Sequence, residues 1–231
     1  MKNSLNKKQG FTLAEILITL TVIGVVAALT IPTLLQNTNQ AELKAALKRD
    51  FADLSQATLS IKNDLGGSLV NAFPGANSMG SEALKNAFKA KLSYIKECSG
   101  TPEFGGSGTG LSAEGCWHVT NAWQNLNGIK RIGEDHPGLI LNNGTLVNFG
   151  IYESNCSLSN GDFKACGDIT FDVNGFKPPN TIGKDIFAVS LTGDGIIPFG
   201  ARGYFDVNDT TNGCLSTARG WGCAAKFLYT D

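Results

Sequence analysis

The sequence predicts an α+β protein in which a long N-terminal helix packs on an antiparallel β-sheet domain. Residues 11–31 form an apolar run, and an amphipathic pattern with helical spacing follows over residues 43–65. After residue 117, short apolar runs alternate with turn-forming residues, which is typical of short strands. The chain also contains 28 glycines in 231 residues, which favours many turns. A helix followed by a run of strands indicates the α+β class.

The N-terminal segment has the pattern of a single membrane-spanning helix. Residues 1–10 contain three lysines and no acidic residue, and 15 of the 21 residues in 11–31 are apolar. As a helix, 21 residues span about 30 Å, the thickness of the hydrocarbon core. Because the lysines precede the span, the N-terminus is expected in the cytoplasm and the rest of the chain outside.

Two simpler interpretations of this segment are an ordinary secretory signal peptide and a plain signal anchor. The apolar run is longer than the roughly 7–15 residues of a signal-peptide core. Glu15 lies at the cytoplasmic edge of the run, where a carboxylate in lipid is costly and usually has a function. A signal anchor explains the length of the run but not Glu15.

The predicted helix continues beyond the membrane over residues 32–65. Pro32 is expected to bend or break it, because proline lacks an N–H group and clashes with the carbonyl four residues earlier. Gly66 and Gly67 provide a C-terminal stop. One face of this helix should pack on the globular domain, 66–231, through Leu43, Leu47, Phe51, Leu54, Ala57, Ile61 and Leu65.

The globular domain is predicted to contain a second helix over residues 81–94 and an antiparallel meander of short strands. Hairpin turns that need positive φ are expected at residues 142–144, 174–175 and 193–195. The predicted strands cover 138–142, 145–152, 169–173, 185–192 and 196–199.

Six cysteines indicate a disulfide framework formed in an oxidising compartment. Fifteen pairings are possible. Sequential pairing is the simplest, because short loops close most easily. The expected bonds are therefore Cys98–Cys116, Cys156–Cys166 and Cys214–Cys223.

Nothing in the sequence indicates an enzyme. The GxSxG and HExxH motifs are both missing from it. The glycine-rich residues 105–110 lack the lysine of a phosphate-binding loop, and His118 and His136 lie outside any motif and are assigned to structure. A net charge of −1 gives no strong field for nucleic acid, so nucleic-acid binding is not expected.

Oxygen-rich stretches in the C-terminal half could bind calcium, which prefers six to eight oxygen ligands. Asp168, Asp172, Asn174 and Asp185 are the candidate ligands, although the EF-hand glutamate is missing. The alternative is turn chemistry, in which Asp and Asn side chains bind the backbone. No cofactor is otherwise required.

The N-terminal residues resemble those of type IV pilins and type II secretion pseudopilins. The resemblance rests on Lys7-Lys8-Gln9-Gly10-Phe11-Thr12-Leu13-Ala14-Glu15, the apolar run and Pro32, about a tenth of the chain. In that family a prepilin peptidase removes the basic leader after its glycine and methylates the new N-terminus. The resemblance implies removal of residues 1–10, with cleavage between Gly10 and Phe11.

The resemblance also assigns roles to Glu15 and Pro32. Glu15 matches the family's glutamate, and Pro32 matches its helix-bending proline. A buried ammonium and a buried carboxylate are each costly when unpaired. Glu15 is therefore expected to neutralise the N-terminal amine of a neighbouring subunit. Some pseudopilins carry calcium in the C-terminal region, and Cys214 and Cys223 resemble the family's disulfide-closed terminal loop.

The sequence thus predicts a structural subunit of a type IV pilus or a type II secretion filament. Its partners would be other copies of itself, the prepilin peptidase, the membrane, and an assembly platform with its ATPase. It would sit in the inner membrane and then in a periplasmic or extracellular filament. The alternatives are a membrane-anchored binding module, or a minor pilin, that captures DNA, a surface or a secretion substrate, and a secreted hydrolase behind a signal peptide.

Overall fold

The computed structural model describes residues 11–75, 78–100 and 114–229. The predicted leader, 1–10, and the glycine-rich residues 105–110 lie outside these ranges. The chain divides into two compact units, residues 1–42 and residues 43–231. The second part of the long helix, from Leu43, therefore belongs with the sheet domain, which we call the globular unit.

Three helices and eight strands are present in the described residues. The long helix α1 spans Leu13–Asp64, α2 spans Ser78–Lys89 and α3 spans Cys223–Tyr229. The strands are β1 (Tyr94–Cys98), β2 (Gly138–Leu141), β3 (Leu146–Ile151), β4 (Leu158–Asn160), β5 (Phe163–Ala165), β6 (Gly167–Asp172), β7 (Ile186–Leu191) and β8 (Ile196–Pro198).

The main sheet is antiparallel and has six strands in the order β1-β2-β3-β6-β7-β8. It is a meander interrupted once, because β4 and β5 form a separate hairpin between β3 and β6. The predicted α+β class is confirmed. The central strands β3 and β7 are buried along their whole length, so both faces of the sheet are covered.

One sheet face packs against helices. Alternate residues of β3, β6 and β7, such as Phe149, Phe171 and Val189, join one core with Leu47 and Leu54 of α1. All seven residues of the predicted α1 stripe except Leu65 are buried or packed on this core. The helix ends where Gly66 and Gly67 take positive φ, and the Gly67 N–H bonds the Lys62 carbonyl at 2.8 Å.

The opposite sheet face is covered by irregular chain. Trp117 and Trp123 are almost fully buried there and pack with Ile140, Leu146 and Ile186 of the sheet. Their rings meet edge to face at 5.7 Å. We call residues 114–137 the covering loop. Sequence reasoning did not find this third layer, because the segment has no regular periodicity.

The structure differs from the sequence-based predictions at three further places. The predicted helix 81–94 ends at Lys89, and its last residue, Tyr94, begins β1. Strand β1 lies at the sheet edge with four of its five residues exposed, so alternation gave no signal. Pro32 lies inside α1 without interrupting it. The sequence also gave no indication of β4, β5 or α3.

Candidate functional site

The first 20 residues of α1, Leu13–Pro32, form an apolar helix in which no residue is buried. Its mean hydropathy is 2.3, and it is the one helix among the described residues long and apolar enough to cross a membrane. Large side chains such as Leu29, 71% exposed, have no partner in their own unit. At 1.5 Å per residue the segment is about 30 Å long, so a bilayer or other apolar helices can cover it.

The polar side chains of this segment are satisfied locally. The hydroxyls of Thr19, Thr21 and Thr30 donate to carbonyls three or four residues earlier, over 2.7–3.0 Å. A polar group in hydrocarbon is costly unless it is hydrogen-bonded. The four threonines of the apolar run, one of which caps the helix, are thus compatible with an apolar environment, and Glu15 is its one ionisable side chain.

Glu15 closes the first turn of α1. Its Oε2 accepts hydrogen bonds from the Thr12 N–H at 2.7 Å and the Thr12 hydroxyl at 2.8 Å, and its own N–H donates to Thr12 Oγ1 at 3.2 Å. This reciprocal arrangement is a capping box, which satisfies N–H groups at a helix start. The spacing Thr-x-x-Glu is readable in the sequence, but the sequence analysis did not use it.

The structure describes only one of the two residues that flank the predicted cleavage. Gly10 lies outside the described residues. Phe11 is 84% exposed and lies one residue before the capping threonine. A new N-terminus at Phe11 would therefore lie next to the Glu15 carboxylate and beside the positive end of the helix dipole.

The four residues predicted to bind calcium are divided between two places. Asp168 and Asp172 point to the same face of β6 but are four residues apart, about 13 Å along a strand. Asp185 accepts the Asn180 and Thr181 N–H groups at 2.7 and 2.6 Å, and Asp172 accepts the Asn174 N–H at 3.1 Å. These bonds are the turn chemistry named as the alternative. Calcium binding itself stays a prediction.

Asp172 and His118 form a fully buried pair beneath the covering loop. Their Oδ2 and Nε2 atoms are 2.8 Å apart. Burial lowers the pKa of His118 to about 4 and raises the pKa of Asp172 well above its usual value. Burial, together with the charge of Asp172, also raises the pKa of Asp185 to about 7. Burial thus disfavours the charged forms of His118 and Asp172.

His136 and Asp168 belong to a second polar cluster, with Glu134, Asp135 and Tyr152. His136 Nδ1 lies 2.7 Å from Glu134 Oε1 and 3.4 Å from Asp135 Oδ1, and the Tyr152 hydroxyl donates to Asp168 at 3.1 Å. Burial alone would lower the pKa of His136, but the hydrogen bond and charge of Glu134 outweigh it and raise the pKa to about 9. Burial and the charge of Glu134 raise the pKa of Asp168 to about 6.

Ligand atoms of Glu134, Asp135 and His136 lie within 4.8 Å of one another, a spacing that could suit a metal ion. The imidazole nitrogen nearest the carboxylates is, however, already paired with Glu134 and keeps its proton at neutral pH. A metal ion would have to displace that proton. The ion pairs of the cluster join residues of the covering loop to one another, and the charge of Asp168 on β6 also acts on His136. The structural role of His136 stays a prediction.

The six cysteines are joined in three successive pairs, Cys98–Cys116, Cys156–Cys166 and Cys214–Cys223. The first bond connects the edge strand β1 with the covering loop, and the third holds the start of α3 against the preceding turn-rich segment. All three lie in the globular unit, and the helix before it contains no cysteine. The three disulfides cross-link segments of the globular unit that have little regular secondary structure.

Comparison with known families gives one match. The family model described as the prokaryotic N-terminal methylation motif matches residues 5–31. Compared with the curated proteins and with the solved structures, the chain finds no match. The chain therefore carries the N-terminal motif of type IV prepilins over these residues. The match ends at residue 31 and does not extend to the globular unit.

Proposed function

We propose that this protein is a filament-forming structural subunit of a type IV pilus or type II secretion system. The observation that carries the proposal is the coincidence of two features. The methylation motif covers residues 5–31, and an apolar helix without a buried residue occupies Leu13–Pro32 of the same segment. A subunit of this kind needs a removable leader and an apolar helix that is free to pack on copies of itself.

In this proposal the prepilin peptidase cuts between Gly10 and Phe11 on the cytoplasmic face and methylates Phe11. The cut creates a positively charged amine at the edge of an apolar segment. The hydrogen bonds from the Thr12 N–H and the Thr12 hydroxyl both reach the same oxygen of Glu15, Oε2, so Oε1 can accept a further hydrogen bond. When subunits pack together, Oε1 of one chain pairs with the Phe11 amine of the next.

Such a contact explains why the assembly is a filament. An amine on one copy and a carboxylate on the next form a head-to-tail contact, which repeats without closing and gives a helical polymer. When the Phe11 amine and the Glu15 carboxylate are removed from water in the filament, each charge has the other as its partner. A single chain in the membrane does not need this pairing with a neighbour. The assembly platform and ATPase would supply the extraction of subunits from the membrane.

The test compares substitutions at Glu15 with a matched substitution in the same helix. Glu15→Gln and Glu15→Leu should abolish sedimentable filaments while the membrane-bound, processed subunit still accumulates. Thr21→Val removes a hydroxyl that bonds only toward Leu17 of its own helix in the described contacts, and it should assemble normally. The N-terminal mass of each sample separates a processing defect from an assembly defect.

A membrane-anchored binding module is the second candidate, and one observation favours it. Val119, Ile129, Ile132 and Phe176 are more than half exposed on or beside the covering loop, and exposed apolar groups can bind a partner. Normal surface display and normal assembly state of the Glu15 variants would contradict the filament proposal and support this candidate.

A further inference from the structure

Three Asn-x-Ser/Thr triplets occur in the globular unit, at residues 143–145, 155–157 and 208–210. This triplet is the acceptor for N-linked oligosaccharides in exported proteins. The triplet alone is a weak signal, because the transferase must reach the asparagine amide and the hydroxyl two residues later together. The structure distinguishes the three by that requirement.

In the triplet at 143–145, the two side chains that the transferase must reach are held by hydrogen bonds within the fold. The Asn143 amide donates to Asp50 Oδ1 at 3.0 Å, and the Thr145 hydroxyl donates to Asp50 Oδ2 at 2.7 Å. Asp50 and Thr145 are both fully buried, where the β2–β3 turn meets α1. Modification would have to break two hydrogen bonds to a buried carboxylate.

The triplet at 155–157 is constrained by a cross-link. Its middle residue, Cys156, is buried and bonded to Cys166. The Asn155 side-chain carbonyl also accepts the Ser157 N–H at 3.2 Å. Both outer residues are exposed, but the segment between them cannot change shape without moving the disulfide.

In the triplet at 208–210, both side chains that the transferase must reach are accessible. Asn208 and Thr210 are both exposed, in turn-rich chain between β8 and α3. Asp206 closes the turn: its carbonyl accepts a hydrogen bond from the Asp209 N–H at 2.8 Å, and its side-chain Oδ1 accepts one from the Asn208 N–H at 2.9 Å. Within the ranges that the structure describes, neither the Asn208 amide nor the Thr210 hydroxyl makes a hydrogen bond.

We infer that Asn208 is an N-glycosylation site whose donor is an oligosaccharide on a polyprenyl diphosphate. The amide nitrogen of Asn208 forms a bond to C1 of the first sugar as the bond from C1 to the diphosphate oxygen breaks. The amide loses one proton to a base of the transferase, and the polyprenyl diphosphate leaves. The inference rests on the proposed function in one respect, since the globular unit must lie outside the cytoplasm.

The test is peptide mass spectrometry of the full chain, purified from the membrane fraction of the cells that naturally produce it. Trypsin releases residues 203–219 as one peptide, because no lysine or arginine lies between Arg202 and Arg219. Residues 132–164 form another peptide, which contains both other triplets. A sugar mass is expected on 203–219, with fragment ions that place it on Asn208, and 132–164 should be unmodified.

Matched variants separate the site from its surroundings. Asn208→Gln and Thr210→Val should lose the sugar mass, whereas Thr210→Ser, which keeps the hydroxyl, should retain it. Asn212→Gln changes an asparagine of the same peptide outside the triplet and should also retain it. An unmodified 203–219 peptide from the wild-type chain, or a sugar that persists in Thr210→Val, would overturn the inference.

The N-terminal peptide of the same digest separates this inference from the proposed function. A chain that begins at methylated Phe11 but carries no sugar on Asn208 overturns the glycosylation alone. A chain that keeps Met1 and carries no sugar overturns both.

Discussion

The two parts of α1 differ in the burial of their apolar side chains. In the segment Leu13–Pro32 no residue is buried, and Leu29 is 71% exposed. From Leu43 onward the same helix contributes Leu47 and Leu54 to a core in which they are fully buried. The first part is therefore incomplete by itself, whereas the second part belongs to a unit that supplies its own packing.

Polar groups differ between the same two regions. The threonines of the apolar segment bond to carbonyls of their own helix, so they need no partner from elsewhere. In the globular unit the buried Asp50 instead bonds Asn143 and Thr145, nearly a hundred residues away in the sequence. A segment made for lipid or for neighbouring helices keeps its polar contacts local, while a folded domain uses them to connect distant elements.

The largest expected effect is a difference in stability between two leucine-to-alanine variants, one in each part of α1. Leu54→Ala should lower the free energy of unfolding of the globular unit by about 2–5 kcal/mol, because it leaves a cavity in the core. Leu29→Ala should leave that unfolding transition unchanged. Thermal or urea unfolding of the detergent-solubilised full chain, followed by tryptophan fluorescence, measures both.

Fluorescence suits this comparison because all three tryptophans lie in the globular unit. If Leu29→Ala destabilises the globular unit as much as Leu54→Ala does, the apolar segment folds as part of that unit. That result would contradict the independence of the two parts of α1.

A smaller effect is expected from opening the last disulfide. Replacing both Cys214 and Cys223 with Ala should lower the free energy of unfolding by about 2–4 kcal/mol, because the unfolded chain is no longer constrained. Insertion of the apolar helix should not change, since all six cysteines lie beyond it. Urea unfolding measures the stability, and carbonate extraction of membranes measures the insertion. Loss of insertion in this variant would contradict the independence of the two regions.

The smallest effect is a pH dependence centred on His136. Its pKa is about 9 in the fold and 6.5 ordinarily, so its stabilising contribution is complete below pH 6.5 and is lost as the pH rises through 9. The contribution is on the order of 1–3 kcal/mol. The melting temperature of the wild type should fall between pH 6.5 and 9, and His136→Gln should flatten that fall.

Asp168 and Tyr152, which lie near His136, have pKa values on either side of this window. The pKa of Asp168 is about 6, and burial raises the pKa of Tyr152 well above 10. Glu134 has a pKa below its usual value, since its hydrogen bond and charge pairing with His136 outweigh burial. A fall of equal size in the His136→Gln variant would show that the cluster is not the source.

The sequence predicted those parts of the structure that have a regular pattern. The α1 stripe, the Gly66–Gly67 stop and the five strands β2, β3, β6, β7 and β8 each follow a periodicity or a turn signal, and the structure places these strands within two residues of the expected bounds. The apolar segment and its motif were also predictable, because hydropathy and the prepilin spacing are local properties.

The parts that were missed depend on contacts between distant residues. The covering loop is ordered by its buried tryptophans and by a disulfide to β1, neither of which has a period. Asp168 and Asp172 lie on one strand yet belong to different clusters. Asp168 accepts a hydrogen bond from Tyr152, which follows β3, whereas Asp172 contacts His118 of the covering loop and Asn174 of the β6–β7 connection. Spacing along the chain could not separate them.

The most direct test of the account is the mass of the N-terminal peptide of the membrane-bound protein, with the prepilin peptidase present and absent. The account predicts a chain that begins at methylated Phe11 when the peptidase is present and at Met1 when it is absent. A chain that begins beyond Ala28, or an intact Met1 in both samples, would contradict it. The apolar helix would then be a signal peptide or a plain anchor.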